Sequence, residues 1–164
     1  MQISFQGELG SYSHQACSEV FPVAVPLPCS TFETAMDQVK EGNSEYAIIP
    51  VENSTYGRVA DAYYLLPNSG LFIIKEHFLR VHINLLALPG VSLSEIKTAM
   101  SHSVLLGQCR RFLNKHKIKS LSGIDTAGSA KIVSESNDRS KSALASPLAG
   151  EIYGLDSLGV EIED

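Results

Sequence analysis

Residues 47–61 read AIIPVENSTYGRVAD, where an apolar run ends at Pro50 and four small polar or acidic residues, Glu52 to Thr55, follow it. The apolar run is typical of a short buried strand, and a helical pattern extends from about Arg58 to Leu66. Helix N-termini prefer Ser, Thr, Asp and Asn because these side chains bond free backbone N–H groups. The stretch therefore predicts a strand that passes into a helix through a polar junction.

The same order of apolar run, polar junction and helical pattern recurs along the chain. Further helices are predicted over about 13–21, 104–115, 127–136 and 147–153. A long extended stretch, LFIIKEHFLRVHINLLAL at 71–88, predicts one or two strands that carry the chain from one lobe to another. Alternating strands and helices are typical of α/β proteins. The predicted fold is therefore α/β with two lobes, each a sheet flanked by helices.

Composition limits the size of the protein and the class of its ligand. At 164 residues and 44% hydrophobic content, the chain supports one compact core but not two independent domains. Thirteen basic residues face eighteen acidic ones, and no basic cluster exceeds Arg110–Arg111. Such a balance indicates neither nucleic acid nor an anionic membrane as a partner, and it favours a small-molecule ligand.

Three cysteines, Cys17, Cys29 and Cys109, are widely spaced, which argues against a disulfide framework or a zinc site. No two of the five histidines have metal-ligand spacing, so no metal is expected. The sequence opens without a signal-peptide pattern and contains no apolar run of membrane-spanning length. We therefore expect a cytoplasmic protein.

Each predicted strand end is followed by hydroxyl, amide, carboxyl or imidazole groups. These polar junctions contain Ser11, Ser13, Glu52, Asn53, Ser54, Thr55, Ser101, His102, Asp125, Thr126 and Ser146. One interpretation is that they are N-caps, which only stabilise helices. The other is that they form a binding site, since the carboxyl ends of strands in an open α/β sheet share one edge and helix N-termini favour anions. The second interpretation predicts a cleft for a small carboxylate.

Other site classes lack their motifs. There is no phosphate-binding G-x-x-x-x-G-K-[ST] sequence, and Gly7 and Gly10 alone do not make a dinucleotide fingerprint. The neighbouring Ser101 and His102 suggest a nucleophile with its base, but adjacent side chains usually point apart and no G-x-S-x-G motif is present. Nucleotide binding and hydrolase chemistry are therefore not expected.

Several motifs occur in order along the chain. They are Gly7-Glu8-Leu9-Gly10-Ser11-Tyr12-Ser13, Pro50-Val51-Glu52-Asn53-Ser54, Ser101-His102 with Gln108-Cys109-Arg110, Asp125-Thr126-Ala127, and Ala145-Ser146 with Tyr153-Gly154-Leu155. Together they resemble the catalytic domain of prephenate dehydratase, over residues 3–164. One departure is Ser103, which stands where that family usually has proline.

The resemblance implies decarboxylating dehydration of prephenate to phenylpyruvate in phenylalanine biosynthesis, without a cofactor. It also implies a fold like type II periplasmic binding proteins, with lobe one over about 1–78 plus 159–164 and lobe two over about 79–158. An arogenate dehydratase is the nearest alternative, because arogenate differs only in an amino group. A homo-oligomer is also compatible with the resemblance.

Roles follow motif by motif from the same resemblance. Glu52 is the expected proton donor, if burial raises its pKa, and Ser101 and Gln108 are further candidate catalytic residues. The expected substrate-binding residues are Ser11, Ser13, Asn53, Ser54, Thr55, His102, Thr126 and Ser146.

A Thr-Arg-Phe tripeptide of the family is expected shortly after residues 159–164 and is not among the 164 residues. The family's phenylalanine-sensing ACT regulatory domain has no counterpart in them either. Since the threonine of the tripeptide is held to be catalytic, the resemblance implies slow turnover or a binding module that turns nothing over.

Overall fold

The computed structural model describes all residues from Met1 to Asp164. The chain divides into two compact units, which are Met1–Glu8 with Tyr12–Leu79 and Leu9–Ser11 with Arg80–Asp164. Each unit contains a sheet flanked by helices. The prediction of an α/β fold with two lobes is therefore confirmed.

Unit 1 is built on a small parallel sheet. Its elements are β1 Gln2–Gln6, α1 Tyr12–Val20, β2 Val25–Cys29, α2 Phe32–Lys40, β3 Tyr46–Ile48, β4 Glu52–Asn53, β5 Gly57–Arg58, α3 Ala60–Leu65 and a 3-10 turn at Leu66–Asn68. The sheet has the order β2-β1-β3, with both pairs parallel. Central strands of parallel sheets are covered on both faces, which explains why Ile3, Ser4 and Phe5 are all buried.

The buried Ser4 does not break the rule that buried polar groups are bonded, because its hydroxyl donates to the Ala35 carbonyl oxygen at 2.7 Å. This bond fixes α2 on one face of the sheet. On the apolar side, Ile3 and Phe5 pack with Cys17 of α1.

Helix α2 is absent from the sequence prediction. It begins where the Thr31 hydroxyl oxygen accepts a hydrogen bond from the Thr34 N–H at 3.0 Å, a standard N-cap. The buried Ala35 and Met36 lie on its inner face. The signal for this helix was the Thr31 cap before an amphipathic segment.

The stretch after Pro50 differs from its prediction. Instead of passing directly into a helix, the chain forms the short hairpin of β4 and β5, in which Glu52 pairs with Arg58. Helix α3 begins only at Ala60. The glycine at the turn explains the difference, since Gly57 has φ of 78°, which a helix does not accommodate.

Unit 2 contains a five-stranded mixed sheet. Its elements are β6 Asn84–Ala87, a 3-10 turn at Leu93–Glu95, β7 Thr98–Ser101, α4 Ser103–Gln108, α5 Arg110–Lys115, β8 Lys119–Ser122, α6 Thr126–Glu135, β9 Lys141–Ala145, α7 Pro147–Tyr153 and β10 Asp156–Gly159. The order is β10-β6-β9-β7-β8. Strand β7 runs parallel to β8 and β9, whereas β6 runs antiparallel to β9 and β10.

The core of unit 2 is made largely of alanines. Ala130 and Val133 of α6 pack with Ala143 and Ala145 of β9, and all four are fully buried. Small side chains allow a helix to lie close against a sheet, so their packing leaves little tolerance for larger residues.

The single helix predicted over 104–115 is two helices. The chain breaks at Cys109, which has φ −110° and ψ 20° and is fully buried. Burial raises the pKa of the Cys109 thiol to about 12. A thiol held in its protonated form is a packing group rather than a nucleophile.

The predicted extended stretch at 71–88 is a strand only over Asn84–Ala87. Residues 71–82 contain neither helix, strand, turn nor bend. An apolar pattern indicates that a segment can form a β-strand, but a strand also requires a neighbouring strand to hydrogen-bond with, and the pattern does not show whether one is present.

The final residues lie in unit 2, although we expected 159–164 in lobe one. The Ile162 side chain is buried, and its N–H donates to the Ile83 carbonyl oxygen at 2.9 Å. The Asp164 carboxylate accepts hydrogen bonds from the Arg111 N–H. These contacts hold the segment beside Ile83, the residue before β6, and beside the first turn of α5. No helix in the structure is long and apolar enough to span a bilayer.

Three residues of the first glycine motif, Leu9–Ser11, also belong to unit 2. The Ser146 hydroxyl donates to the Gly10 carbonyl oxygen at 2.6 Å, and the Tyr153 hydroxyl donates to the Leu9 carbonyl oxygen at 2.8 Å. Gly10 has φ of 88°, and a Cβ there would lie 2.9 Å from the Ala149 Cα. Position 10 therefore requires glycine for two reasons, the positive φ of the backbone and the lack of space for a Cβ atom.

We predict that Gly10→Ala lowers the free energy of unfolding by about 2 to 5 kcal/mol, from left-handed strain and overpacking together. Gly154→Ala is the matched control, because Gly154 also has positive φ, 64°, but nothing lies within 4 Å of its Cβ position. It should cost only about 1 to 2 kcal/mol. Urea denaturation of both variants measures the difference, and equal losses would contradict the close contact with Ala149.

Candidate functional site

Three predicted polar junctions meet at one edge of the unit 2 sheet. Strands β7, β8 and β9 are parallel, so their carboxyl ends point the same way. Ser101 is the last residue of β7 and His102 follows it, Asp125 and Thr126 come after β8, and Ser146 follows β9. Each junction leads into a helix, α4, α6 or α7. The structure therefore brings together the unit 2 residues that the sequence placed at strand ends.

The two serine hydroxyls at this edge are hydrogen-bonded within the fold. Ser101 and Ser146 are both fully buried. The Ser101 hydroxyl donates to the Leu144 carbonyl oxygen at 2.7 Å, which ties β7 to β9. The Ser146 hydroxyl donates to the Gly10 carbonyl and accepts from the Ala149 N–H at 3.0 Å. Ser146 thus has the helix-capping role of the first interpretation, whereas the bond of Ser101 to a neighbouring strand was not predicted.

His102 is exposed and caps α4. Its Nδ1 accepts a hydrogen bond from the Val104 N–H at 3.3 Å. A neutral imidazole whose Nδ1 is an acceptor carries its proton on Nε2. The ring is thus oriented with an N–H available outside the helix.

Asp125 caps α6, since its carboxylate accepts from the Gly128 N–H. Thr126 is the first residue of this ten-residue helix and is half-buried. Its hydroxyl makes no hydrogen bond within the chain, so it remains a donor for another group.

Gln108 lies apart from this edge. It is the last residue of α4, about 7.5 Å along the helix from Ser103 at 1.5 Å per residue. Its carbonyl oxygen accepts from the Asp164 N–H at 2.6 Å. This backbone bond links the end of α4 to the last residue of the chain.

The unit 1 junctions are split by the structure. Ser13 lies in the first turn of α1 in unit 1, whereas Ser11 belongs to unit 2. We had expected both serines in the same lobe. The hydrogen bonds that hold Leu9 and Gly10 on α7 account for the difference.

His14 is a buried group in α1 that the sequence analysis did not select. Its ring stacks on Phe5 with centroids 5.5 Å apart, and burial lowers its pKa below the ordinary 6.5. Its helical spacing from Cys17 was the signal available in the sequence, because both face the core.

Asn53 organises the turn of the hairpin. Its side-chain oxygen accepts from the N–H groups of Thr55 and Tyr56, at 2.9 and 3.1 Å. This arrangement is an Asx turn, which leaves the side-chain NH2 free to donate. Ser54 and Thr55 are exposed in the turn.

Glu52 is exposed, and no hydrogen bond or ion pair engages its carboxylate within the chain. The burial that we required for a proton donor is therefore not present in this structure. Nowhere along the 164 residues do three His, Cys, Asp or Glu side chains cluster closely enough to hold a metal ion.

Comparison with known proteins identifies relatives along the whole chain. The family model described as prephenate dehydratase matches residues 3–164. A bifunctional N-acyl-homoserine lactone acylase/prephenate dehydratase of Komagataeibacter europaeus is 40% identical over 162 residues, which are 99% of this chain and 58% of that protein. Arogenate dehydratase/prephenate dehydratase 1 of Arabidopsis thaliana is 40% identical over 100% of this chain and 42% of its own length.

A solved structure of this family is similar to the whole chain in fold. The prephenate dehydratase of Arthrobacter aurescens in complex with L-Phe has a TM-score of 0.92 and 30% identity, over 100% of this chain and 56% of that one. The chain thus spans about half the length of the relatives it matches.

We predict that Ser101→Ala lowers the free energy of unfolding by about 1 to 3 kcal/mol, because it removes a buried hydrogen bond. Ser103→Ala is the control, since Ser103 is exposed two residues away and should change stability by less than about 0.5 kcal/mol. Thermal and urea denaturation test both. A Ser101→Ala variant as stable as the parent would contradict a structural role for this hydroxyl.

Proposed function

Because the chain belongs to the prephenate dehydratase family, we propose that its activity is the decarboxylating dehydration of prephenate to phenylpyruvate. The observation that carries the proposal is the family match over residues 3–164. The polar strand ends of unit 2 support it, because they supply hydroxyl, imidazole and N–H donors of the kind that bind carboxylates.

The reaction requires little from the protein. The bond from the ring to its carboxylate breaks, CO2 leaves, and the bonding electrons enter the ring as the 4-hydroxyl departs. The hydroxyl takes up one proton and leaves as water. Because the product ring is aromatic, the reaction is strongly downhill. The protein must hold the carboxylates, supply the proton and exclude bulk water.

We propose that three groups bind substrate carboxylates. In unit 2 they are the Nε2–H of His102 and the hydroxyl of Thr126, and in unit 1, taken by itself, the side-chain NH2 of Asn53. Each is a hydrogen-bond donor that the fold leaves unused. In Asn53 and His102 a second polar atom of the same side chain is bonded within the fold, and beside Thr126 the neighbouring Asp125 makes the helix cap. A donor fixed in this way loses little conformational freedom on binding.

The remaining predicted residues have supporting or open roles. Ser11, Ser13, Ser54 and Thr55 stay proposed ligand contacts. We propose that Ser101 and Ser146 position the strand ends instead, since their hydroxyls are bonded inside the fold. Gln108 and Glu52 stay proposed catalytic groups, with Glu52 acting as proton donor only where bound ligand removes it from water.

The Thr-Arg-Phe tripeptide implied by the family resemblance is not among the 164 residues. We therefore propose that these residues bind substrate and that a chain including the tripeptide turns it over faster. A binding module without turnover is the alternative. Arogenate is the alternative substrate, and the Arabidopsis relative carries both names.

The acylase name of the Komagataeibacter relative has no matching arrangement at Ser101 and His102. The Ser101 hydroxyl donates to Leu144 and the His102 Nδ1 accepts from Val104, so the two side chains do not form a nucleophile with its base. We propose no acylase activity at this pair. We propose a cytoplasmic location, since Cys17, Cys29 and Cys109 are free, buried thiols.

Turnover is tested in two assays. One follows the formation of phenylpyruvate from prephenate, and the other follows the formation of phenylalanine from arogenate. We predict that the 164-residue chain has a kcat about a hundredfold to ten-thousandfold below that of a chain extended by Thr-Arg-Phe, with similar substrate affinity, as expected for loss of a general acid. Absence of turnover and of prephenate binding in both chains would overturn the proposal. Equal turnover would contradict only the role of the tripeptide.

We predict that Asn53→Asp and Asn53→Ala both weaken phenylpyruvate binding, by about 1.5 to 3 kcal/mol for the alanine variant. Only Asn53→Asp keeps the oxygen that accepts from Thr55 and Tyr56, so the hairpin should survive in it while the new charge repels a carboxylate. Calorimetry with each variant gives the affinity, and thermal melting reports the fold. Unchanged affinity in Asn53→Asp would assign Asn53 to the turn alone.

A further inference from the structure

Strand β2, Val25–Cys29, is an edge strand, because it is hydrogen-bonded to β1 and to no other strand. An edge strand ordinarily offers a row of unpaired N–H and C=O groups to any extended segment nearby. Exposed apolar side chains favour such pairing further, and here Val25 is 56% exposed and Val23, just before the strand, is 90% exposed. The β2 edge is therefore a place where the unit 1 sheet could pair with another molecule.

The backbone groups of β2 alternate between a side that faces β1 and an outer side. In a parallel pair, every second residue directs both its N–H and its C=O to the neighbouring strand. The Val25 N–H donates to the Met1 carbonyl oxygen at 3.0 Å. At the other end of the strand, the Cys29 carbonyl oxygen accepts from the Gly7 N–H at 2.9 Å. The odd-numbered residues of β2 therefore face β1, which leaves the two even-numbered residues on the outer side.

Both residues on the outer side are prolines, Pro26 and Pro28. Proline has no N–H group, so it cannot donate to a ladder of hydrogen bonds. The outer side of β2 thus carries carbonyl oxygens but no backbone donor. Two copies of this edge can form no backbone hydrogen bond with each other, and any other strand could form only the bonds in which it is itself the donor.

We propose that Pro26 and Pro28 close the β2 edge, so that no strand of another molecule adds to the unit 1 sheet on this side. The prolines occupy both outward positions of the strand and none of the inward positions, where they would remove bonds to β1. The inward N–H groups that the parallel pairing requires, such as that of Val25, are retained. The two prolines therefore prevent association at this edge without weakening the sheet.

The block is tested with the double variant Pro26→Thr/Pro28→Thr in the 164-residue chain. Threonine favours strands, and it gives each outer position an N–H group. Two copies can then pair antiparallel about Leu27, where position 26 of one copy faces position 28 of the other and each facing pair exchanges two hydrogen bonds. Because this pairing uses the β2 edge of both copies, sedimentation velocity should show a main species of twice the mass of the parent's main species.

Each single variant, Pro26→Thr or Pro28→Thr, forms only two of these four bonds, so its association should be weaker than that of the double variant by roughly tenfold or more. Pro22→Thr is the matched control, because it makes the same exchange in the turn before β2 and adds no donor to the edge. Its mass should equal that of the parent.

Circular dichroism and urea denaturation check that each variant is folded, and the single variants provide the test where the double variant folds poorly. A folded double variant with the mass of the parent would overturn the proposal, as would a Pro22→Thr variant that associates as strongly as the double variant. Unfolding of all three edge variants would also overturn it, since the prolines would then be required inside unit 1 rather than at its edge.

Discussion

The hydroxyl of Ser146 makes two hydrogen bonds, one that starts a helix and one that holds the N-terminal glycine motif. It accepts from the Ala149 N–H, which starts α7, and it donates to the Gly10 carbonyl oxygen at 2.6 Å. The Tyr153 hydroxyl holds Leu9 from the other end of the same helix. As a result, three residues between β1 and α1 are folded into unit 2, and the surrounding packing permits only glycine at position 10.

The same residue types stabilise helix starts and offer donors to an anion, so the two uses compete for individual atoms. At Ser101 and Ser146 the fold takes the only hydroxyl. Asn53 and His102 have a second polar atom, and the fold uses just one of the two. Thr126 is spared because its neighbour Asp125 makes the cap. Binding capacity therefore lies with residues that have a donor beyond what folding requires.

Local signals explain what the sequence could predict. The helix at Pro147–Tyr153 has proline in its first turn and Gly154 at its left-handed end, and its predicted bounds are correct. Local signals also predicted that polar residues stand at the strand ends of unit 2, since each of them begins or precedes a helix. Non-local contacts explain the errors: Cys109 breaks a helix inside the core, and the bond from the Ile162 N–H to the Ile83 carbonyl oxygen holds the last residues in unit 2. Likewise, no pattern in the sequence indicates that Leu9–Ser11 is held by α7.

The central claim is that α7 holds the Leu9–Ser11 segment through side-chain hydroxyls. Hydrogen exchange measured by mass spectrometry on Ser146→Ala and Tyr153→Phe tests it most directly. Faster exchange is expected in peptides that cover residues 8–13 of both variants, whereas peptides from α2 should be unchanged, because release of a local contact raises only local opening. Identical exchange at residues 8–13 in the parent and both variants would contradict the account.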